Sequence, residues 1–301
     1  MHLAFFGGIY NNSLALDAAI RDARRRGAEQ LFCLGDIGAF GPHPDRVFPL
    51  LREAGVQCVQ GNYDDSVGND LEDCQCGYTD PRDNHFAQIS YDYTYQNTSG
   101  ENRRWMRSLP KELRFEIDGI RFLLCHGSPR KVNEFLWEST TSTHFLEKLA
   151  RDYEADVILG THTGLHWERR LGGGKRFVNA GVLGRPENDG TTNVWYTLVN
   201  TGGSRVQGPG SSELPDRVTR TDQRDGRGDP RATLDHALRS KGRATPSYSV
   251  DFIPLEYEHE RLAAEMREEQ LPEPFIETIL TGWWTTCLEV LPSRERRRGR
   301  Y

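Results

Sequence analysis

Four short stretches of the sequence place metal-binding side chains close to a glycine, each after an apolar run typical of a buried strand. They are GD at 35–36, GNYDD at 61–65, HGSP at 126–129 and GTHTG at 160–164. In open parallel sheets, ligands bind where the carboxyl ends of the strands meet. One carboxylate, one amide and two imidazoles suit a divalent ion such as Mn, Fe, Zn or Ni. We therefore predict a metal site formed by Asp36, Asn62, His126 and His162.

Each of these residues also has a purely structural explanation. A single aspartate after a strand commonly caps a helix, and a single histidine commonly forms hydrogen bonds in a core. The opening loop, GGIYNN at 7–12, contains no carboxylate at all. The recurrence of the pattern after four separate apolar runs is what favours a shared site.

Short apolar runs alternate with amphipathic stretches through the first 160 residues, which predicts parallel strands joined by helices. The strands are expected at 2–6, 30–34 and 56–60, and the helices from about Ser13, with Ser13 as N-cap, and near 44–54. Residues 66–108 are polar and aromatic, and we interpret them as helices that cover the sheet edge.

The second half of the sequence changes to a pattern of consecutive strands. A hairpin turns at Asp118-Gly119, a helix follows at 141–153 and a buried strand at 156–160, and three further strands come without helices between them. This pattern predicts a second sheet packed on the first. Residues 201–247, rich in Gly, Ser, Pro, Arg and Asp, are expected to form a flexible insertion, before a last strand and two helices. We expect residues 1–301 to form one domain.

Composition narrows the class of partner. The chain of 301 residues has a formal net charge of −6, which argues against a nucleic-acid partner, although RERRRGR at 294–300 is basic. No apolar run is long enough to cross a membrane and no signal segment is present, so we expect a cytoplasmic protein with no membrane partner. Of the six cysteines, Cys33, Cys58 and Cys125 lie in apolar runs, and CQC at 74–76 is interpreted as two loop thiols.

The order GD, GN-x-D, HGSP and GTHTG, followed by FVNAGVLGRP, resembles the calcineurin-like metallophosphoesterase superfamily, in particular its small bacterial and archaeal phosphodiesterase-like branch. The resemblance covers residues 1–200 and the strand and helices after 248. It implies an α/β fold, a two-sheet β-sandwich flanked by helices (an α/β/β/α sandwich), with a binuclear metal centre at its mouth.

The resemblance implies an incomplete metal centre in this chain. In the family, the ligands that bind only the first metal come from an opening D-x-H loop and from the second histidine of a G-H-x-H motif. In this sequence the corresponding positions are occupied by Gly8, Tyr10 and Gly164. The second metal's set, including the bridging aspartate, is present as Asp36, Asn62, His126 and His162. We therefore hypothesise one divalent ion, Mn, Fe, Zn or Ni.

The resemblance also assigns catalytic positions. Tyr63 replaces the family's catalytic histidine, and Asp64 of the same motif remains. Tyr10 and Tyr63 are both expected beside the lost metal position, where they would bind a substrate phosphate, ligate an oxidised iron or only fill volume. Tyr63, Asp64 and Tyr10 are thus the predicted catalytic residues.

Three residues are predicted to bind substrate. Arg130 and Arg185 follow strand ends, where a guanidinium binds phosphate in bidentate fashion, and His85 is a candidate general acid in the covering segment. His166 is either a replacement metal ligand or, as we favour, a surface histidine beside Trp167.

These features predict an enzyme that hydrolyses a small phosphomonoester or phosphodiester. The alternative is a non-catalytic binding or scaffold protein that keeps the fold. In that case the segment GWWTTCLEVLP at 282–292 would offer a partner surface or a homodimer surface.

Overall fold

Two five-stranded sheets form the centre of the protein in a computed structural model that describes residues 1–202 and 247–296. The first sheet has the order β10-β9-β1-β2-β3, and the second has the order β4-β5-β6-β8-β7. The strands of the first sheet are β1 His2–Phe6, β2 Gln30–Cys33, β3 Gln57–Cys58, β9 Val194–Asn200 and β10 Ser249–Leu255. Those of the second are β4 Leu113–Ile117, β5 Ile120–Leu124, β6 Val157–Gly160, β7 His166–Arg170 and β8 Arg176–Ala180.

The alternation of side chains along β1 shows why the two sheets pack on each other. Leu3 and Phe5 point into the core between the sheets, whereas Ala4 and Phe6 point into the core under the outer helices. The Phe5 ring stacks on Phe32 of its own sheet at 5.1 Å and on Phe122 of the other sheet at 6.5 Å, measured between ring centroids. A strand covered on both faces must be apolar throughout, and this confirms the predicted two-sheet sandwich.

Helices cover the outer faces of both sheets. They are α1 Ser13–Arg25, α2 Val47–Glu53, α3 Asn62–Gly68, α4 Pro81–Asn97, α5 Gly100–Arg107, α6 Thr143–Asp152, α7 His259–Glu268, α8 Glu273–Thr281 and α9 Ser293–Arg296. The covering segment predicted at 66–108 contains the end of α3 together with α4 and α5. The N-cap of α1 is Asn12 rather than the expected Ser13, because the Asn12 side chain accepts a hydrogen bond from the Ala15 N–H at 2.9 Å.

The topology gathers several strand ends at one end of the sandwich. Strands β1, β2 and β3 are parallel, as are β5, β6 and β8, so the loops after them meet. A bridge between Gly8 and Val182 joins the two sheets there. The expected hairpin turn at Asp118-Gly119 connects β4 and β5, and both turn residues have positive φ angles of 52° and 77°.

Two further expectations from the sequence concern the insertion and membrane-spanning helices. All but the ends of the predicted insertion at 201–247 lies outside the described residues. In the ranges that the structure describes, no helix combines the length and the apolar character needed to cross a membrane.

Candidate metal centre

Three of the predicted metal ligands converge at the end of the sandwich. The ligand atoms of Asp36, His126 and His162, which follow β2, β5 and β6, lie within 4.8 Å of one another, and all three side chains are buried. His126 Nε2 is 3.2 Å from Asp36 Oδ2 and 3.2 Å from His162 Nδ1. Within the described residues, this is the cluster of three or more acidic, histidine or cysteine side chains with the geometry to hold a metal ion.

A backbone carbonyl orients the His126 ring. His126 Nδ1 lies 2.7 Å from the carbonyl oxygen of Leu34, so we assign the ring proton to Nδ1, which donates to that carbonyl. Nε2 therefore faces Asp36 and His162 with its lone pair, the arrangement that metal-binding histidines adopt. Burial opposes the charged form, but the Asp36 carboxylate outweighs it and raises the pKa of His126.

Asp64 holds the loop that carries Asp36. Its Oδ2 accepts hydrogen bonds from the N–H groups of Asp36 at 2.9 Å and Gly61 at 2.8 Å, and its Oδ1 accepts one from Ile37 at 3.0 Å. Asp36 has a φ angle of 55°, in the left-handed region that non-glycine residues rarely occupy. Burial and the Asp36 carboxylate raise the pKa of Asp64 to about 7. Through these contacts Asp64, which the sequence predicts to be catalytic, positions the loop that carries Asp36.

Glycine is required where the two loops touch. A Cβ atom at Gly61 would collide with Asp36 Oδ1 and with the Asp36 backbone nitrogen. The absence of a side chain at this position lets the Tyr63 N–H donate to Asp36 Oδ1 at 3.0 Å. The glycine in the GNYDD stretch thus serves close packing of the two ligand loops.

Asn62 and His162 each present a buried atom without a hydrogen-bond partner. Asn62 donates from Nδ2 to the carbonyl of Cys74 at 2.8 Å, which leaves Oδ1 unpaired, and His162 Nε2 is unpaired as well. Burial and the neighbouring His126 lower the pKa of His162 to about 3, so the ring is a neutral ligand. An unsatisfied buried polar atom costs about 1–3 kcal/mol, and a bound cation would remove that cost. The donor set therefore fits a divalent ion.

The CQC stretch differs from the expectation of two loop thiols. Cys74 and Cys76 form a disulfide, and their Cα atoms are 5.2 Å apart. Gln75 between them has a φ angle of 52°, and this turn brings the two sulfur atoms together. Because Asn62 Nδ2 contacts both the Cys74 carbonyl and Cys76 Sγ, the disulfide-bonded loop orients Asn62.

Large side chains fill the space beside Gly8 and Gly164, the glycines for which the resemblance implies lost metal ligands. A Cβ atom at Gly8 would lie 2.6 Å from the Tyr10 ring, and one at Gly164 would lie 2.8 Å from Trp284 and 3.5 Å from Nη2 of Arg185. Side chains at positions 8 and 164 would thus collide with Tyr10 and Trp284. Additional metal ligands at these two positions do not fit the packing of this chain.

Arg185 enters the same cavity as Asp36 and His162. Its side chain is buried, with the guanidinium carbon 3.8 Å from the centroid of the Trp284 ring. The rings of Phe40 and Tyr10 lie 5.5 Å and 5.8 Å from the same atom. A predicted substrate-binding residue is thus held rigidly beside the candidate metal centre.

The two predicted catalytic tyrosines line this cavity but differ in their contacts. The Tyr63 hydroxyl lies 3.1 Å from Ser90 Oγ and 3.3 Å from the carbonyl of Ala87, both on α4. Tyr10 has a φ angle of 53° and packs over Gly8. Burial raises the pKa of both phenols, so both are neutral hydrogen-bonding groups.

Three other sequence candidates lie elsewhere. Arg130 is exposed and paired with Glu134, and His85 is an exposed residue of α4; neither lines the cavity, and their substrate-binding roles stay predictions. His166 Nδ1 is 2.7 Å from Glu187, and its ring packs against Trp195. It is a half-buried, paired histidine rather than the expected surface residue, because β7 directs it away from the metal cluster.

Sequence reasoning missed much of the cavity wall. Ser90 and Phe86 come from α4, Phe275 comes from α8, and Thr286 comes from the segment after α8. None of these residues belongs to a motif. Only the packing of the helices against the strand ends brings them to the site.

Comparison with known proteins agrees with this geometry. Residues 1–202 match the family model described as the calcineurin-like phosphoesterase superfamily domain. The chain belongs to this superfamily. An uncharacterized protein of Methanocaldococcus jannaschii is 29% identical over 137 residues, 45% of this chain and 52% of that protein, so the match spans about half the length of this curated relative.

Two solved structures have the same fold as this superfamily member. A hypothetical protein from Pyrococcus horikoshii OT3 superposes with a TM-score of 0.67 at 19% identity, over 94% of this chain and 99% of its own. A metallophosphoesterase from Sphaerobacter thermophilus superposes with a TM-score of 0.60 at 20% identity, over the same shares of 94% and 99%. At these identities the likeness establishes the fold alone.

Proposed function

We propose that the protein is a metal-dependent phosphoesterase that hydrolyses a small phosphomonoester or phosphodiester with a single divalent ion. The observation that carries the proposal is the convergence of Asp36, His126 and His162 at the strand ends, with unpaired buried atoms on Asn62 and His162. These four residues would hold the ion, which when bound supplies Lewis-acid stabilisation of a phosphoryl oxygen and a more acidic water.

The chain's own residues would orient the substrate and the ligands. The Leu34 carbonyl fixes the His126 ring, and Asp64 holds the Asp36 loop. Arg185 would donate hydrogen bonds to phosphoryl oxygens and stabilise charge that develops there. Tyr10, as a neutral phenol in the cavity, would donate a further one. Tyr63, already bound to Ser90, would shape the cavity rather than transfer a proton.

The packing beside Gly8 and Gly164 supports one ion rather than two. Tyr10 and Trp284 fill the space that ligands at these positions need, and the positive charge of Arg185 lies in the same cavity. A second cation beside a guanidinium in a buried cavity would be strongly repelled. The guanidinium would supply part of the positive charge that a second ion supplies in a binuclear centre.

Elemental analysis of protein purified without added metal, and again after loading with Mn, Fe, Zn or Ni, tests the proposal. We expect about one ion per chain, together with hydrolysis of p-nitrophenyl phosphate or bis(p-nitrophenyl) phosphate. His126→Ala should lose both, whereas His144→Ala, at an exposed position on α6, should keep both. Two tightly bound ions would contradict the single-ion proposal. Absence of metal and of hydrolysis would favour the non-catalytic binding protein.

A further inference from the structure

The segment that follows α8, residues 282–291, contributes to the cavity although it lies outside the range matched by the family model. Trp284 binds this segment to the loop that contains Pro186 and Asn188. Its backbone N–H donates to Asn188 Oδ1 at 3.0 Å, and its indole N–H donates to the Pro186 carbonyl at 2.8 Å. Trp284 is 1% exposed, so this tryptophan does not contribute to the partner surface considered from the sequence. Two residues further, Thr286 lines the cavity together with Asp36 and Arg185.

Arg185 and Thr286 present hydrogen-bond donors that the protein leaves unused. Arg185 is 5% exposed and Thr286 is 1% exposed, yet Arg185 Nε and Thr286 Oγ1 have no hydrogen-bond partner. Among the described residues, no carboxylate pairs with the Arg185 guanidinium; aromatic rings surround it instead. A buried cation without a counter-ion is costly, so this arrangement favours the binding of an anion.

We propose that Arg185 and Thr286 form the phosphate-binding subsite of this enzyme and that they select a phosphomonoester. This inference rests on the proposed phosphoesterase function. The phosphoryl group of a monoester has three non-bridging oxygens, whereas a diester has two. Three groups at the cavity would each take one such oxygen: an ion held by the metal cluster, the Arg185 guanidinium and the Thr286 hydroxyl. A monoester fills all three, and a diester leaves a buried donor unpaired.

The charge of the cavity favours the same substrate class. Among the described side chains that line the cavity, Asp36 is the acidic residue, and Arg185 is the basic one whose charge is permanent. Their charges cancel, so a bound divalent ion adds two positive charges to this lining. A phosphomonoester dianion neutralises this charge, whereas a diester carries a single negative charge.

Calorimetric titration of inorganic phosphate and of dimethyl phosphate tests the subsite without requiring turnover. The titrations use the full chain loaded with Mn²⁺ and, separately, the chain treated with EDTA. Phosphate stands for the monoester, and dimethyl phosphate stands for the diester. In the Mn²⁺-loaded protein we expect phosphate to bind at least about tenfold more tightly than dimethyl phosphate, because one charged hydrogen bond contributes about that factor.

Two variants, each with a matched control, test whether phosphate binds to Arg185 and Thr286. Thr286→Val, which removes the hydroxyl with little change of shape, and Arg185→Met should each weaken phosphate binding at least about tenfold. Thr285→Val is the matched control, because that hydroxyl donates to the Pro274 carbonyl outside the cavity. Arg176→Met is the control for the arginine, because Arg176 stacks on Tyr248 at 4.8 Å and pairs with Glu168 away from the site. Circular dichroism verifies that each variant is folded.

The outcomes separate this inference from the proposed function. Selective phosphate binding that depends on both residues supports the subsite even if no ester is hydrolysed. Equal binding of the two anions, phosphate binding that survives both substitutions, or no phosphate binding in either metal state overturns it. Turnover that depends on metal would leave the phosphoesterase proposal standing in each of those cases.

Discussion

The two walls of the cavity are built on different physical principles. On one wall, short polar side chains follow strand ends and are aimed by the backbone: the Leu34 carbonyl orients His126, and backbone N–H groups fix the loop carboxylates. On the other wall, Tyr10, Arg185 and Trp284 are held by packing of large rings. The comparison shows how the fold keeps one candidate metal site while packed side chains occupy the space beside it.

The walls also differ in how they satisfy charge. Asp36 contacts His126 at 3.2 Å and lies near a second imidazole, so its neighbours are groups that also bind metals. Burial opposes ionisation, but His126 outweighs it and lowers the pKa of Asp36. Arg185 has aromatic faces in place of a carboxylate. The first wall is thus suited to a cation and the second to an anion.

Removal of charge from the metal-binding wall should have the largest effect. Asp36→Asn keeps the shape of the side chain but removes the charge that would bind the ion, so we expect metal content to fall to background and kcat/KM to drop at least about a thousandfold. Elemental analysis and steady-state kinetics measure both. Asp22→Asn is the matched control: Asp22 is a buried aspartate of α1 that pairs with Arg26, the residue after the helix. Full metal content in Asp36→Asn would refute the assignment of this wall.

Removal of the Asp64 carboxylate, which holds the Asp36 loop, should have an intermediate effect on metal affinity. Asp64→Ala leaves the N–H groups of Asp36, Ile37 and Gly61 without their acceptor, so the Asp36 loop should lose its strained conformation. We expect metal affinity to fall about 10–100-fold, as measured by calorimetric metal titration. Asp65→Ala, one residue further along α3, should bind metal normally. Unchanged affinity in Asp64→Ala would mean that the loop keeps its shape without this carboxylate.

The two tyrosines should show the smallest effects and a difference between them. Tyr10→Phe removes a neutral donor next to Arg185, and we expect kcat/KM to fall about 3–10-fold, the effect of one lost hydrogen bond. Tyr63→Phe removes a hydroxyl already bound to Ser90, so we expect less than about a threefold change and a loss of about 1 kcal/mol in unfolding free energy. Kinetics and urea denaturation measure these quantities. A larger kinetic loss in Tyr63→Phe would instead support the proton-transfer role suggested by its motif position.

Much of the fold was predictable because its signals are local. Apolar runs with strand periodicity identified β1, β2 and β6, and the Asp118-Gly119 turn identified the β4–β5 hairpin. Two local predictions were wrong. Asn12 rather than Ser13 caps α1, and CQC forms a disulfide rather than two thiols. Asn12 and Ser13 are adjacent residues of types that both cap helices, and in CQC the left-handed conformation of Gln75 brings the two sulfur atoms together.

The site was predictable only for residues that follow strands. Asp36, His126 and His162 lie together because parallel strands of the two packed sheets end at one edge. Arg130 and Arg185 both follow apolar segments, yet one is exposed and the other buried in the cavity. Local sequence does not distinguish them, because the difference arises from Trp284, about 100 positions after Arg185.

The sequence by itself determined which chemistry is available: a set of carboxylate, amide and imidazole side chains at strand ends, and residues without a carboxylate or imidazole at Gly8, Tyr10 and Gly164. The tertiary structure alone decided what stands beside that set. Tyr10 folds over Gly8, Trp284 packs against Gly164, and Arg185 and Thr286 bring unpaired donors to the cavity. The physical reason is that ligand type is a property of single residues, whereas packing and unsatisfied donors arise from contacts between segments distant in the chain.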